Sequence, residues 1–139
     1  MTTSSARPFR TMLFAPGNHP RRVEKALTLA ADAVILDLED AVAVAEKIAT
    51  RETVVAALQG ARTGLGYVRI NAYDTEFCFG DLLVVVAAGV DGIIAPKIET
   101  AAQLQAVDWM IAQLEREKDL PASGIDLIPI IETGRGVAN

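Results

Sequence analysis

The sequence has very little cysteine and histidine, with one residue of each, Cys78 and His19, among 139. A single cysteine cannot form an intrachain disulfide, so a disulfide-stabilised scaffold is excluded and a reducing compartment, the cytoplasm, is expected. We interpret Cys78 as a small buried apolar residue and His19 as part of a helix start. The sequence shows no strong zinc-binding pattern, no Ser-His-Asp set and no phosphate-binding P-loop.

Long apolar runs and positive charge are also scarce. The longest apolar run, LLVVVAAGV, is too short to cross a bilayer, and the first segment, MTTSSARPFR, has no signal-peptide-like apolar stretch. We therefore expect neither secretion nor membrane insertion. The formal net charge of −5 and the pI near 4.8 argue against a nucleic-acid partner, which needs a basic face. Small anionic substrates remain compatible, because local arginines can bind them.

Apolar residues, in contrast, are plentiful. Hydrophobic residues make up 51% of the chain and charged residues 22%, a balance typical of a folded domain with a substantial core. We expect residues 1–9 to form a disordered N-terminal tail and residues 10–139 to form one domain or part of one.

Five short apolar runs recur along the chain and read as strands buried on both faces. They are TMLFAP, AVILDL, GYVRIN, GIIAPK and DLIPIIE. The segments between them have helical spacing, so the order is β-α-β-α-β-α-β-α-β. Right-handed crossovers make such a sheet parallel. The sequence leaves two α/β architectures open: a five-strand doubly wound sheet, or the first five units of a (β/α)8 barrel of the TIM type.

Three details of the intervening helices can be tested against the structure. The second helical segment is expected to end before Gly60 and to bury one face that carries Val44, Ile48, Val55 and Leu58. Asp81 is expected to cap the third helix. Thr100 and Gln103 have the spacing of a capping box at the start of the fourth.

Polar residues of both signs follow the predicted strands. Because the carboxyl ends of parallel strands meet at one edge, they should form a common rim where chemistry is expected in either architecture. The rim set is Asp37, Glu39, Asp40, Arg69, Asn71, Lys97 and Glu132. A carboxylate suits Mg²⁺, and an arginine offers a bidentate fork to a substrate carboxylate. Together they could stabilise an enolate. Alternatively, Asp37 and Asp40 simply cap the following helix.

Five blocks of the sequence together resemble the citrate lyase β-subunit-like family of the HpcH/HpaI aldolase superfamily, with malyl-CoA lyases as near relatives. The blocks are RTMLFAPGNHPRR, ADAVILDLEDAV, GYVRINAYDT, GVDGIIAPKIET and IPIIETGRGVAN. The resemblance implies that residues 10–139 form the N-terminal part of a (β/α)8 barrel. It also implies a Mg²⁺-dependent carbon–carbon lyase that cleaves citryl or malyl thioesters of coenzyme A or an acyl-carrier protein.

The resemblance also implies roles for particular residues. Arg69 would bind substrate oxygens, and Glu132 would ligate the metal at the substrate site. Glu39 and Asp40 would complete the catalytic set within the hydrogen-bond network of the pocket, with Asp37 supporting them. Arg10 and Lys97 would lie near the bound substrate.

The family's second metal ligand is an aspartate one strand further on than the sequence reaches. We therefore expect the 139-residue chain alone to have little or no lyase activity. We also expect it to be a fragment or to pair with another copy as a homo-oligomer. Two alternatives from other classes are a non-catalytic remnant that binds a partner and a receiver-like signalling domain. The receiver is disfavoured because the acids here follow strand two rather than strands one and three.

Overall fold

A computed structural model of the chain describes residues 8–139, so residues 1–7 of the expected tail lie outside it. The strands are β1 (Met12–Pro16), β2 (Ala33–Asp37), β3 (Leu65–Arg69), β4 (Gly92–Ala95) and β5 (Asp126–Pro129). The helices are α1 (Pro20–Thr28), α2 (Lys47–Gln59), α3 (Cys78–Val85), α4 (Ala101–Glu117) and α5 (Gly134–Ala138). A short 3-10 helix, Val44–Glu46, precedes α2. The alternation of strands and helices agrees with the apolar runs.

The five described strands form one parallel sheet in the order β1-β2-β3-β4-β5. Each strand pairs with its neighbour in sequence, so the order never reverses. A doubly wound sheet needs such a reversal, and a receiver-type sheet has the order 2-1-3-4-5. The structure therefore excludes both alternatives, and the chain forms the first five βα units of a barrel-type α/β fold.

The two faces of the sheet have different partners. One face joins the helices in a single core that includes Val34, Leu36 and Val68 from the strands and Leu58 and Leu82 from the helices. The other carries a small cluster supplied by strands and their extensions, Ala33, Ile35, Tyr67 and Ile94. Helices on one face only are what a right-handed barrel wall requires.

The helix-free inner face is partly open to solvent. Phe14 is 47% exposed and Met12 37% exposed. Gly92 lies under the Tyr67 ring, where an added Cβ would stand 2.1 Å from Tyr67 Cε1. In a closed barrel, further strands would cover this face.

The helix α2 buries a different face from the one the spacing predicted. Leu58 is buried and Val55 half-buried, as expected. Ile48 and Val44, the latter in the preceding 3-10 helix, are 64% and 67% exposed, while Lys47 and Thr50 are buried. The prediction was wrong for the first turn because the Lys47 ammonium finds buried acceptors there.

Of the two predicted helix caps, one is confirmed and one is wrong. Thr100 and Gln103 form the predicted capping box: the Thr100 hydroxyl accepts from Gln103 N at 3.2 Å. The predicted cap at Asp81 was wrong, because α3 begins at Cys78 and Asp81 lies fully buried inside it. Within residues 8–139, no helix combines the length and apolarity that crossing a membrane demands.

Candidate active site at the carboxyl ends of the strands

Arg69, the last residue of β3, is held by Asp37, the last residue of β2. The two are register partners in neighbouring parallel strands. Arg69 Nε donates to Asp37 Oδ1 and Nη2 donates to Oδ2, both at 2.7 Å. The Phe14 ring lies 5.0 Å from the guanidinium carbon. This bidentate pair fixes the guanidinium plane.

Asp37 also holds the chain that follows it. Its Oδ1 accepts from Glu39 N at 2.9 Å and its Oδ2 from Ala41 N at 3.0 Å. Burial alone would raise the pKa of Asp37, but the bonds from Arg69, Glu39 and Ala41 outweigh it and lower that pKa. Since α2 begins at Lys47, Asp37 does not cap that helix. It joins Arg69 to the loop after β2.

Glu39 lies buried between two cations. Its Oε2 is 3.3 Å from Arg69 Nη1, and its Oε1 accepts from Lys97 Nζ. The Oε2 atom is buried yet makes no hydrogen bond. Burial raises the pKa of Glu39 and outweighs the opposing effects of Lys97 and Arg69. Glu39 therefore has one oxygen hydrogen-bonded to Lys97 and one buried oxygen that faces the Arg69 guanidinium at ion-pair distance.

Lys97, after β4, links this pair to the end of β5. Its backbone has φ of 50°, a left-handed conformation that non-glycine residues rarely adopt and that is often found at functional sites. Lys97 N donates to Glu132 Oε1 at 3.1 Å, while Nζ also contacts Asp40 Oδ1 at 3.1 Å. Arg69, Glu39 and Glu132 thus belong to one continuous set of contacts.

A buried polar network lies behind this rim. Asn71 donates through N and Nδ2 to Asp81 Oδ2 at 2.8 and 2.7 Å, and Arg51 Nε donates to Asp81 Oδ1 at 2.8 Å. Lys47 Nζ donates to Asn71 Oδ1 at 2.6 Å. Sequence reasoning placed Asn71 on the rim but missed Lys47, Arg51 and the role of Asp81. The i, i+4 spacing of Lys47 and Arg51 on one face of α2 was the available signal.

Comparison with known proteins agrees with this architecture. The HpcH/HpaI aldolase/citrate lyase family matches residues 10–139. The chain belongs to that family. It is 42% identical over 132 residues to citrate lyase subunit beta of Leuconostoc mesenteroides subsp. cremoris, covering 94% of this chain and 44% of that protein.

Two further relatives have similar coverage. A (3S)-malyl-CoA thioesterase of Cereibacter sphaeroides is 42% identical over 136 residues, covering 96% of this chain and 44% of that protein. The structure of a citrate lyase beta subunit from M. tuberculosis, complexed with oxaloacetate and magnesium, is 36% identical with a TM-score of 0.68. That match covers 91% of this chain and 49% of the other. The chain thus spans about half the length of these relatives.

Arg10 is not brought to the rim. It precedes β1, at the amino ends of the strands, where its Nη2 donates to Asp32 Oδ1 at 3.1 Å and its side chain is 84% exposed. The substrate contact expected for Arg10 does not fit this position, because a parallel sheet separates its two ends by the length of a strand. We leave Arg10 out of the candidate site.

Neither the single cysteine nor the single histidine takes part in the Glu39–Lys97 contacts. Cys78 is buried, and burial raises the pKa of its thiol to about 11, so the thiol stays protonated. His19 precedes α1 without a side-chain capping bond. A large cavity of about 830 Å³ lies near Leu65 and Asp126, at the amino ends of the strands. The rim chemistry therefore does not coincide with that cavity.

The polar residues at the carboxyl ends of the strands supply only part of a magnesium site. Residues 8–139 contain no cluster of three or more carboxylate, histidine or cysteine side chains that could hold a metal. Glu132 is exposed at the rim and can supply one carboxylate ligand. Glu39 is engaged by Arg69 and Lys97. Because Mg²⁺ retains water and takes substrate oxygens, Glu132 is compatible with a shared site, completed by groups beyond these residues.

Proposed function

We propose that this chain supplies the substrate-binding half of a magnesium-dependent carbon–carbon lyase. The substrate class is a 3-hydroxy-acid thioester of the citryl or malyl type, carried on coenzyme A or an acyl-carrier protein. One observation carries the proposal: Arg69, Glu39 and Glu132, from three different strand ends, are joined by direct contacts through Lys97. Membership of the HpcH/HpaI family and the names of the relatives support the reaction class.

The geometry suggests a role for each group. Arg69 uses Nε and Nη2 on Asp37, so its remaining N–H bonds can bind a substrate carboxylate or the carbonyl oxygen that gains charge as the bond breaks. Glu132 would hold magnesium, which supplies Lewis-acid stabilisation of that charge. Lys97 contacts Glu39 from the other side and is itself paired with Asp40. None of these contacts identifies the general base.

The chain spans only about half the length of its relatives, and this affects the activity that we expect from it. Glu132 alone makes an incomplete metal site, and the inner face at Phe14 is open to water. Water weakens the electrostatic stabilisation on which this chemistry depends. We expect the 139-residue chain by itself to show little or no lyase turnover with Mg²⁺ and citryl-CoA or malyl-CoA.

A test needs a completed barrel. The chain can be joined to the C-terminal part of the Leuconostoc citrate lyase beta subunit, beyond the aligned region, and assayed for Mg²⁺-dependent cleavage. Arg69→Ala in that protein should lower turnover at least about tenfold, or roughly 1.4 kcal/mol of transition-state stabilisation. Arg116→Ala, at an exposed position of α4, is the matched control.

Three outcomes would count against the proposal. Robust turnover by the unassisted chain would show that no further units are needed. An unchanged rate for Arg69→Ala would remove Arg69 from the mechanism. A folded, completed barrel that cleaves neither thioester would refute the substrate class.

The exposed inner face supports a second candidate, a non-catalytic chain that binds a partner. Phe14 and Met12 are apolar and partly exposed there, as expected for a surface that another chain covers. Sedimentation of the purified chain and a Mg²⁺-binding titration of the completed barrel separate the candidates. A stable oligomer of the chain, with a completed barrel that binds no Mg²⁺, favours the partner-binding role.

A further inference from the structure

Lys47 is a buried lysine whose ammonium is fully used within the protein. Lys47 as a whole is only 7% exposed. Its Nζ donates to Leu38 O at 2.9 Å, to Glu39 O at 2.6 Å and to Asn71 Oδ1 at 2.6 Å. These three acceptors match the three N–H bonds of an ammonium.

This placement is costly in a way that core packing does not explain. Burying an ammonium carries a large desolvation penalty, and the described residues give Lys47 no ion pair within 4 Å. The neighbouring Ile48 is 64% exposed, so α2 buries a cation and exposes an isoleucine. An apolar residue at position 47 would avoid that penalty but would leave Glu39 O and Asn71 Oδ1 without this donor.

The acceptors of Lys47 explain what the buried cation achieves. Leu38 and Glu39 begin the loop after β2, and Asn71 follows β3. Asn71 is tied in turn to Asp81. The ammonium therefore joins α2 to the carboxyl ends of two neighbouring strands, directly behind the side chains of Glu39 and Arg69.

We propose that Lys47 is a positioning residue for the candidate active site. Its ammonium holds the backbone at Leu38 and Glu39, so that the Glu39 carboxylate stays between Arg69 and Lys97. Any catalytic consequence depends on the proposed function. The positional effect does not, and it can be measured without substrate.

The test follows Glu39 directly. Lys47→Met keeps the length of the side chain and removes its N–H donors, and Lys25→Met, on an exposed position of α1, is the matched control. The readout is the ¹³C NMR titration of the Glu39 carboxyl, whose pKa burial raises in the native protein. In Lys47→Met the carboxyl should gain access to water and titrate lower, toward its ordinary range. Loss of the Lys47 charge alone would raise the pKa of Glu39, so a rise would count against the proposal. Lys25→Met should titrate like the parent protein.

A purely structural lysine would give another pattern. Lower thermal stability with an unchanged Glu39 titration in folded Lys47→Met would overturn the proposal. If that variant does not fold, Lys47→Arg retains the buried charge but displaces its donors. The Glu39 titration should then move in the arginine variant, and an unmoved titration would again overturn the proposal. Since no thioester is present, failure of the lyase assignment would leave these results intact.

Discussion

Asp37→Asn is the substitution that tests the candidate site most sharply. Each carboxylate oxygen of Asp37 accepts one backbone N–H and one N–H from Arg69. Asparagine has the same shape but only one oxygen, and its NH₂ group would face two donors. No rotation of the amide can satisfy both sides.

The expected cost follows from these contacts. Two donors in buried or partly buried bonds lose their acceptor, and an unsatisfied buried donor costs about 1–3 kcal/mol. Glu39 Oε2, 3.3 Å from Arg69 Nη1, can take over part of the guanidinium charge. We therefore expect Asp37→Asn to lower the free energy of unfolding by about 3 kcal/mol, toward the low end of the range for breaking a buried ion pair.

Urea unfolding followed by circular dichroism measures this loss. Asp40→Asn, three residues on, makes the same chemical change at a side chain that is 66% exposed, and it should cost less than about 0.5 kcal/mol. The Asp37 effect should also depend on pH. Because the folded pKa of Asp37 is lowered, its stabilisation is present above the unfolded pKa, near 3.9. It is lost as the pH falls through the folded value.

The difference between wild type and Asp37→Asn should therefore shrink under acid conditions. A variant that unfolds within about 1 kcal/mol of wild type at neutral pH would refute the four-acceptor argument. So would a difference between the two proteins that stays constant down to strongly acid pH.

Two further predictions concern the neighbouring backbone. Lys97→Gly and Lys97→Ala both lose the contact with Glu39, but only alanine keeps a Cβ at the left-handed φ of 50°. The glycine variant should be the more stable by about 1 kcal/mol in urea unfolding, and equal stabilities would contradict strain at this position. Thr100→Ala should cost about 1 kcal/mol because Gln103 N loses its acceptor. Thr100→Ser should restore most of that loss, and a serine variant as weak as alanine would argue against the cap.

Much of the fold was readable because its signals are local. Apolar runs marked all five described strands to within about three residues, and the capping box at Thr100 needs residues only three positions apart. The rim residues were also predictable, since parallel strands bring their carboxyl ends together. The same reasoning puts Arg10 at the amino ends of the strands, whereas the resemblance implies a position near the bound substrate.

Other features of the candidate site depend on partners that are distant in sequence. The acceptors of Lys47 lie 9, 8 and 24 residues away, so its burial cannot be read from helical periodicity. Asp81 has the sequence position of a helix cap, but it accepts from Asn71 and Arg51, which are 10 and 30 residues away. Lys97, whose backbone is left-handed, likewise contacts residues that follow two other strands, Glu132 and Glu39.

The amino-acid sequence by itself determined the order of strands and helices and the set of polar residues at the strand ends, because each depends on spacing within a few residues. Only the tertiary structure decided that the strands lie in consecutive order, that the helices cover one face, and that Glu39 sits between Arg69 and Lys97. Those features depend on which distant segments meet. A buried charge is tolerated only where the folded chain brings it a partner.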